Sequence, residues 1–237
     1  MLVGTLRRFI KPVNNIKAYK MFSSSLIDNY HKMLKSDLKQ VDKEMYDICK
    51  GEEMRQKHSL CLIASENFTS TAVYQTLGSQ LQNKYAEGYI DARYYGGCKY
   101  IDQLEQLCIN RALEVYDLDP EEWGVNVQCY SGSPANLYAY YGVVGKGARI
   151  VALDLNHGGH LSHGFETPKK KVSATADYFE WMFYHQNPVD NSIDYDGCQD
   201  IVKKFRPKMV VAGYSSYPRF YNYERMREIS DSVGAYL

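Results

Sequence analysis

The run Arg149-Ile150-Val151-Ala152-Leu153, continued by Asp154-Leu155-Asn156-His157-Gly158-Gly159-His160-Leu161-Ser162-His163-Gly164, decides the fold class. A short apolar run without alternation, stopped by a glycine-containing loop, describes a strand covered on both faces, as in parallel sheets. Similar runs lie at residues 60–64, 125–128 and 209–213. Helical stretches separate them, near residues 102–116, from Pro134 onward, and near residues 223–233. Strands alternating with helices predict an α/β fold: βαβ units in a mainly parallel sheet with helices on both faces. Ligands of such folds bind at the carboxyl ends of strands, so the loops after the apolar runs are the candidate sites.

Composition narrows the function classes. The 237 residues are 45% hydrophobic and include 22 tyrosines, ample material for a packed core. Lysine plus arginine equals aspartate plus glutamate at 28 each, so no global field gathers nucleic acid or an anionic membrane. The apolar runs are far shorter than the roughly 20 residues a bilayer crossing needs. Six cysteines without a C-x-x-C pair read as reduced thiols, with no disulfides expected. Residues 1–24 carry Arg7, Arg8, Lys11, Lys17 and Lys20 with no acid before Asp28, which fits either a transit peptide or an extension ahead of a start at Met21. Over residues 31–50, Leu34, Leu38, Val41, Met45 and Ile48 recur at helical spacing and predict one amphipathic helix, laid on its own domain or on a partner subunit.

Three loops carry candidate chemistry. Tyr130-Ser131-Gly132-Ser133-Pro134 opens a helix, where free N–H groups, the helix dipole and two hydroxyls can cup a phosphate; the same residues also make an ordinary capped turn. His157, His160 and His163 at intervals of three can bind zinc, or stack on a flat ring, or donate hydrogen bonds. Asn83-Lys84-Tyr85-Ala86-Glu87-Gly88-Tyr89, with Arg93-Tyr94-Tyr95-Gly96-Gly97, surrounds an acid with phenols, either an acid–base site or a tyrosine-rich interface. Gly213-Tyr214-Ser215-Ser216-Tyr217 is a further loop behind an apolar run.

Several exact strings taken together resemble the serine hydroxymethyltransferase family, fold-type I enzymes that use pyridoxal 5'-phosphate. They are Leu62-Ile63-Ala64-Ser65-Glu66-Asn67-Phe68, Asn83 to Tyr89, Arg93 to Cys98, Asn126-Val127-Gln128, Ser131-Gly132-Ser133, Gly158 to Phe165, and Met226 to Ile229 running into Val233 to Leu237. The resemblance covers residues 40 to 237. It implies that Ser131, Gly132 and Ser133 hold the cofactor phosphate, that Tyr85 reaches the phosphate of a neighbouring subunit, and that His160 stacks on the pyridine ring. Ser215 then bonds the ring hydroxyl, Ser65 and Tyr95 contact the amino-acid substrate, and Glu87 handles a proton at the serine hydroxymethyl group or the folate. The implied reaction converts serine and tetrahydrofolate to glycine and 5,10-methylenetetrahydrofolate, in a homo-oligomer (dimer or tetramer) without bound metal. The implied organisation is a basic extension (residues 1–24), an N-terminal helical arm (residues 25–58) and a partial cofactor-binding large domain (residues 59–237). A cytoplasmic location is expected, with the mitochondrion as the alternative.

The chain also departs from the family. Members carry the cofactor lysine in a Thr-Thr-His-Lys context, and no Thr-His-Lys occurs here. Lys169-Lys170-Lys171 reads as a solvated cluster and Lys84 belongs to the tyrosine loop, so neither replaces it. Ile90-Asp91-Ala92 stands where a Pro-Gly-Lys type turn is common. The chain is therefore expected to be the front part of a transferase, inactive by itself and prone to aggregate through uncovered sheet edges. Two other readings are a short noncatalytic homologue docking on a full-length partner and a metal-dependent hydrolase built on the histidine triplet.

Overall fold

The computed structural model describes the backbone of residues 16–237 and the side chains from Ser25 onward, so the basic extension read over residues 1–24 lies outside the fully described residues. The chain divides into two compact units, Met1–Asn83 and Lys84–Leu237.

In the first unit the helix expected over residues 31–50 is broken into α1 (Ile16–Lys35), α2 (Leu38–Val41) and α3 (Lys43–His58). The apolar spacing runs through both breaks, and two aspartates cause them. Asp37 accepts from the Gln40 N–H and Asp42 from the Met45 N–H, each at 2.9 Å. A short carboxylate that binds the backbone ahead of it starts a new helix instead of continuing the old one. Leu34, Leu38, Val41, Met45 and Ile48 are exposed. The strand expected over residues 60–64 does not form. Leu60 is 93% exposed and the Glu66 N–H donates to the Ile63 carbonyl at 3.0 Å, which bends the run into a turn with no ladder beside it. Beyond it Ser70 caps α4 (Thr71–Leu77), a helix not expected from the sequence.

The second unit runs β1 (Gly88–Tyr89), β2 (Ala92–Arg93), α5 (Lys99–Val115), α6 (Gly132–Val144), β3 (Arg149–Leu153), β4 (Glu166–Thr167), β5 (Lys170–Lys171), α7 (Thr175–Tyr178), β6 (Glu180–Tyr184), α8 (Tyr195–Phe205), β7 (Met209–Val210) and α9 (Tyr223–Asp231). β3 is the centre of a parallel sheet ordered β6-β3-β7, paired with β6 from Arg149↔Glu180 to Leu153↔Tyr184 and with β7 at Ile150↔Met209 and Val151↔Val210. Alternate residues of β3 face opposite layers. Val151 and Leu153 pack with Cys198 and Val202 of α8 and Met226 and Ile229 of α9, while Ile150 packs with Tyr140 and Val144 of α6. Helices therefore cover both faces of a parallel sheet, the α/β arrangement expected from the sequence.

Two expected strands differ from the sequence reading. Residues 125–128 are irregular because the Asn126 side chain takes the Gln128 N–H at 2.9 Å, a local bond that competes with a ladder. The run at residues 209–213 pairs only over Met209–Val210 before it peels away. β6 and α8 are further additions to the sequence reading. Asp194 accepts from the Gly197 N–H at 2.9 Å to cap α8. The three-lysine cluster sits on the exposed β4–β5 hairpin, and all six cysteines are free thiols.

Gly164 has φ +82°, and a Cβ there would fall 2.2 Å from the Trp181 indole on β6. Gly164→Ala combines left-handed strain with overpacking and is expected to cost about 2–4 kcal/mol. Urea unfolding should show a lower midpoint at unchanged slope; an unchanged midpoint contradicts the packing described.

Candidate functional site

The site begins where β3 ends. Asp154 caps the short turn Leu155–His157, its Oδ1 accepting from the Asn156 N–H at 2.7 Å. The chain then doubles back at Gly158, φ +98°, and the Gly159 N–H donates to the Asp154 carbonyl at 2.9 Å. A Cβ on Gly159 would lie 2.0 Å from the Leu153 carbonyl oxygen, and one on Gly158 2.6 Å from the Tyr217 nitrogen. Only glycine admits this approach. The loop that leaves β7 nests on the same peptide, with the Ser215 and Ser216 N–H groups donating to the Gly158 carbonyl at 2.9 and 3.0 Å. The Ser215 hydroxyl is exposed and makes no hydrogen bond within the described residues.

His160 caps the next turn, Leu161–His163. Its Nδ1 accepts from the Ser162 N–H at 3.1 Å, so the neutral ring carries its proton on Nε2. Its own N–H donates to His163 Nδ1 at 3.2 Å. Ser162 ties this turn to two helices: its Oγ accepts from Asn136 Nδ2 on α6 at 2.8 Å, and its carbonyl accepts from Thr175 Oγ1 on α7 at 2.9 Å. His163 is buried, and burial pushes its imidazole down to about 4 against the opposing pull of the Leu153 carbonyl. His157 Nδ1 accepts from the Gln186 N–H at 3.2 Å. The His160 and His163 rings are thus engaged in their own turn, and the His157 ring is engaged by the backbone beyond β6. Among the described residues no group of three or more His, Cys, Asp or Glu side chains converges to hold a metal ion, which removes the basis of the hydrolase reading.

Asn136 brings the start of α6 to the same edge. Ser131 is its N-cap in extended conformation, with no side-chain capping bond. Ala135 donates to the Ser131 carbonyl at 3.1 Å, Pro134 has no N–H, and the Gly132 and Ser133 N–H groups make no bond within the described residues. No acid occupies the first turn. Two free amides, the adjoining serine hydroxyls and the positive end of the helix are groups of the kind that can receive an anion the size of phosphate. Gly132 leaves it open, since a Cβ there would meet no heavy atom within 4 Å.

The tyrosine–glutamate loop surrounds a cavity of about 730 Å³ lined by Tyr85, Glu87, Arg93, Glu105, Gln128 and Tyr130 among others. Arg93 organises it. Its side chain is nearly covered, with Nε on Asp102 at 2.7 Å, one Nη on Glu105 at 2.6 Å and the other on the Ala86 and Gly88 carbonyls at 3.0 and 2.8 Å. Those carbonyls flank Glu87, so the guanidinium sets the backbone that presents it. Glu87 itself is exposed and, by hydrogen bonding and charge, holds the Tyr85 phenol above its ordinary range. The Tyr85 and Tyr95 rings meet edge to face at 5.2 Å. The sequence signal for this clamp was Asp102 and Glu105, three apart on one face of α5. Ser65 belongs to the first unit, exposed in the turn between Ile63 and Glu66. Hydrogen bonds thus link the segments that carry Ser131, Gly132, Ser133, His160 and Ser215 beyond the carboxyl end of β3, and Tyr85, Glu87 and Tyr95 share one loop system.

Residues 38–237 match the family model described as Serine hydroxymethyltransferase. The chain belongs to the serine hydroxymethyltransferase family. It is 51% identical over 235 residues to "Serine hydroxymethyltransferase, mitochondrial" of Schizosaccharomyces pombe, across 99% of this chain and 48% of that protein. It is 53% identical over 217 residues to "Serine hydroxymethyltransferase, cytosolic" of Neurospora crassa, across 92% and 45%. The rabbit (Oryctolagus cuniculus) protein named "Serine hydroxymethyltransferase, cytosolic" is 53% identical over 214 residues, across 90% and 44%. The chain therefore spans about half the length of these curated serine hydroxymethyltransferases, which include cytosolic and mitochondrial members. No helix among its described residues is long and apolar enough to cross a membrane.

The depressed His163 value makes a pH prediction. Between about 4 and the ordinary imidazole value the unfolded chain binds a proton that the folded chain refuses, so stability rises with pH across that window and is lost on acidification. The loss below pH 4 should reach about 3 kcal/mol. An NMR titration should find the His163 ring neutral at pH 5.5; a midpoint near 6.5 refutes the buried cap.

Proposed function

We propose that the protein's activity is that of a serine hydroxymethyltransferase, moving the hydroxymethyl carbon of serine to tetrahydrofolate and leaving glycine and 5,10-methylenetetrahydrofolate, and that these 237 residues, which hold no lysine in a Thr-Thr-His-Lys context, are inactive by themselves. Family membership supports this reading. The observation that carries it is the set of hydrogen bonds that ties the segments bearing these groups together: Asn136 of α6 to Ser162 beside His160, and the Ser215 and Ser216 N–H groups to the Gly158 carbonyl.

The residues present fit pyridoxal 5'-phosphate. The unpartnered Gly132 and Ser133 amides, the Ser131 and Ser133 hydroxyls and the open space at Gly132 suit its phosphate. His160 would lie against its ring and Ser215 would bond the ring hydroxyl. When bound, the cofactor supplies an electron-withdrawing ring on which bonds to the amino-acid α-carbon are weakened. The protein's own work is to bind, orient and move protons. Ser65 and Tyr95 contact the amino acid. Glu87, steadied by Arg93 through the carbonyls on either side of it, holds the proton exchanged at the serine hydroxymethyl oxygen or the folate.

Tyr85 is assigned to the phosphate of a neighbouring subunit in a homodimer or tetramer. The exposure of Tyr85, Tyr89, Tyr94 and Tyr95, and of the apolar stripe from Leu34 to Ile48, supports such an interface. Residues 25–58 are read as an arm of that interface and residues 59–237 as part of the cofactor-binding large domain, behind the basic extension of residues 1–24. The location proposed is the cytoplasm, with the mitochondrion as the alternative that the basic extension would serve.

Titration of the purified protein with pyridoxal phosphate, followed by absorbance, should saturate at micromolar cofactor. Gly132→Ala fills only open space and should leave the unfolding curve in place while weakening cofactor binding about tenfold or more. Equal binding by both proteins, or no saturable binding by either, defeats the assignment of this bend.

A further inference from the structure

Behind the Ser215 loop lies a tyrosine cluster that the cofactor reading leaves unused. Tyr184, the last residue of β6, is fully buried, and its hydroxyl donates to the Val211 carbonyl at 2.9 Å, where the pairing of β7 with β3 ends. The Tyr221 hydroxyl lies 2.9 Å from that of Tyr184 and 3.4 Å from the Gly213 carbonyl. Burial holds both phenols protonated far above their ordinary range, so each hydroxyl has one proton to give. Tyr184 spends its proton on Val211, so the proton between the two rings comes from Tyr221. The Tyr221 ring also stacks on Tyr214 at 5.4 Å and 3° between planes. The segment leading to Ser215 is therefore pinned at the Val211 carbonyl and the Tyr214 ring. Past it, Ser215 and Ser216 are pinned by Gly158.

We infer that Tyr184 and Tyr221 are positioning residues that act through the Val211–Tyr214 backbone to aim the Ser215 hydroxyl. The inference rests on the reading of Ser215 as a ring-facing group. The last ladder bond of β7 runs from the Val211 N–H to the Val151 carbonyl at 2.8 Å and, among the described residues, none holds Ala212 to Tyr214, while the outer side of Ser215 is open. The relay of two hydroxyls replaces the missing pairing. It differs from general core packing because phenylalanine at either position keeps ring and volume while removing the bond.

The test uses purified protein with Tyr184→Phe, Tyr221→Phe, Ser215→Ala and the Tyr184→Phe/Ser215→Ala double variant. Amide exchange at Ser215 and Ser216, measured without ligand, should accelerate about tenfold in Tyr184→Phe while Val151 to Leu153 stay protected. Pyridoxal phosphate affinity should fall about fivefold, and the double variant should bind no worse than Ser215→Ala alone, since both changes remove one interaction. If Tyr184→Phe does not fold, Tyr221→Phe, which keeps the bond to Val211 but removes the hydroxyl that donates to Tyr184 and orients it, supplies the comparison at Ser215 and Ser216 with a smaller acceleration expected. Unchanged exchange in the folded variants, or affinity losses that add in full, overturns the positioning role while cofactor binding by the unmodified protein stands. No binding by the unmodified protein overturns the cofactor reading and this role together.

Discussion

A chain leaving the buried end of β3 has no room to turn except on glycine. The Gly159 Cα packs so near the Leu153 carbonyl, and Gly158 so near the Tyr217 backbone, that any side chain would overlap main chain on both sides. Because backbone cannot move aside as a flexible side chain can, this contact fixes the distance between the loops leaving β3 and β7. His160 follows the glycine pair directly, and Ser215 is bonded to the Gly158 carbonyl. The two side chains assigned to one cofactor ring are thus placed by a single peptide unit.

The buried polar side chains near that peptide are neutral and occupied, with the Asp154 carboxylate capping the turn ahead of it, and the unspent donors lie where a ligand is proposed to bind. The His163 imidazole is kept uncharged by burial, and the Tyr184 and Tyr221 phenols hold their protons for the same reason. No buried side-chain nitrogen or oxygen among the described residues lacks a partner. The unspent donors lie at the mouth: two amides and two hydroxyls at the start of α6, and the Ser215 hydroxyl. A charged interior would compete with the anion proposed to bind these donors. Among the described residues the one nearly covered cation, Arg93, is matched by two carboxylates and two carbonyls, and it sets the loop that carries Glu87.

Much of the second unit was legible from residue pattern. The run Arg149 to Leu153 reads as a covered strand because a parallel strand needs apolar residues on both faces, and Ser131 to Pro134 reads as a helix start because cap chemistry is local. The runs at residues 60–64 and 125–128 have the same apolar character and are irregular. Strand formation requires a neighbour to take its backbone bonds, and no residue within the run reports whether that neighbour exists. β6 escaped notice for the converse reason. Glu180-Trp181-Met182-Phe183-Tyr184 looks mixed alone, and becomes a strand because β3 offers a full ladder. At residues 31–50 hydrophobic spacing predicted one helix, whereas Asp37 and Asp42 each capture a backbone N–H and restart it.

From sequence alone came the family resemblance, the parallel α/β class, the anion-receptive bend and the identities of His160, Ser215, Tyr85 and Glu87, since exact strings and cap residues carry their meaning locally. Tertiary structure alone decided that Asn136 joins the bend to the His160 turn, that Arg93 clamps the peptides beside Glu87, and that two buried phenols hold the approach to Ser215. Each of these contacts joins residues far apart in the chain. A hydrogen bond of fixed length and direction exists only once the sheet has brought its two ends together.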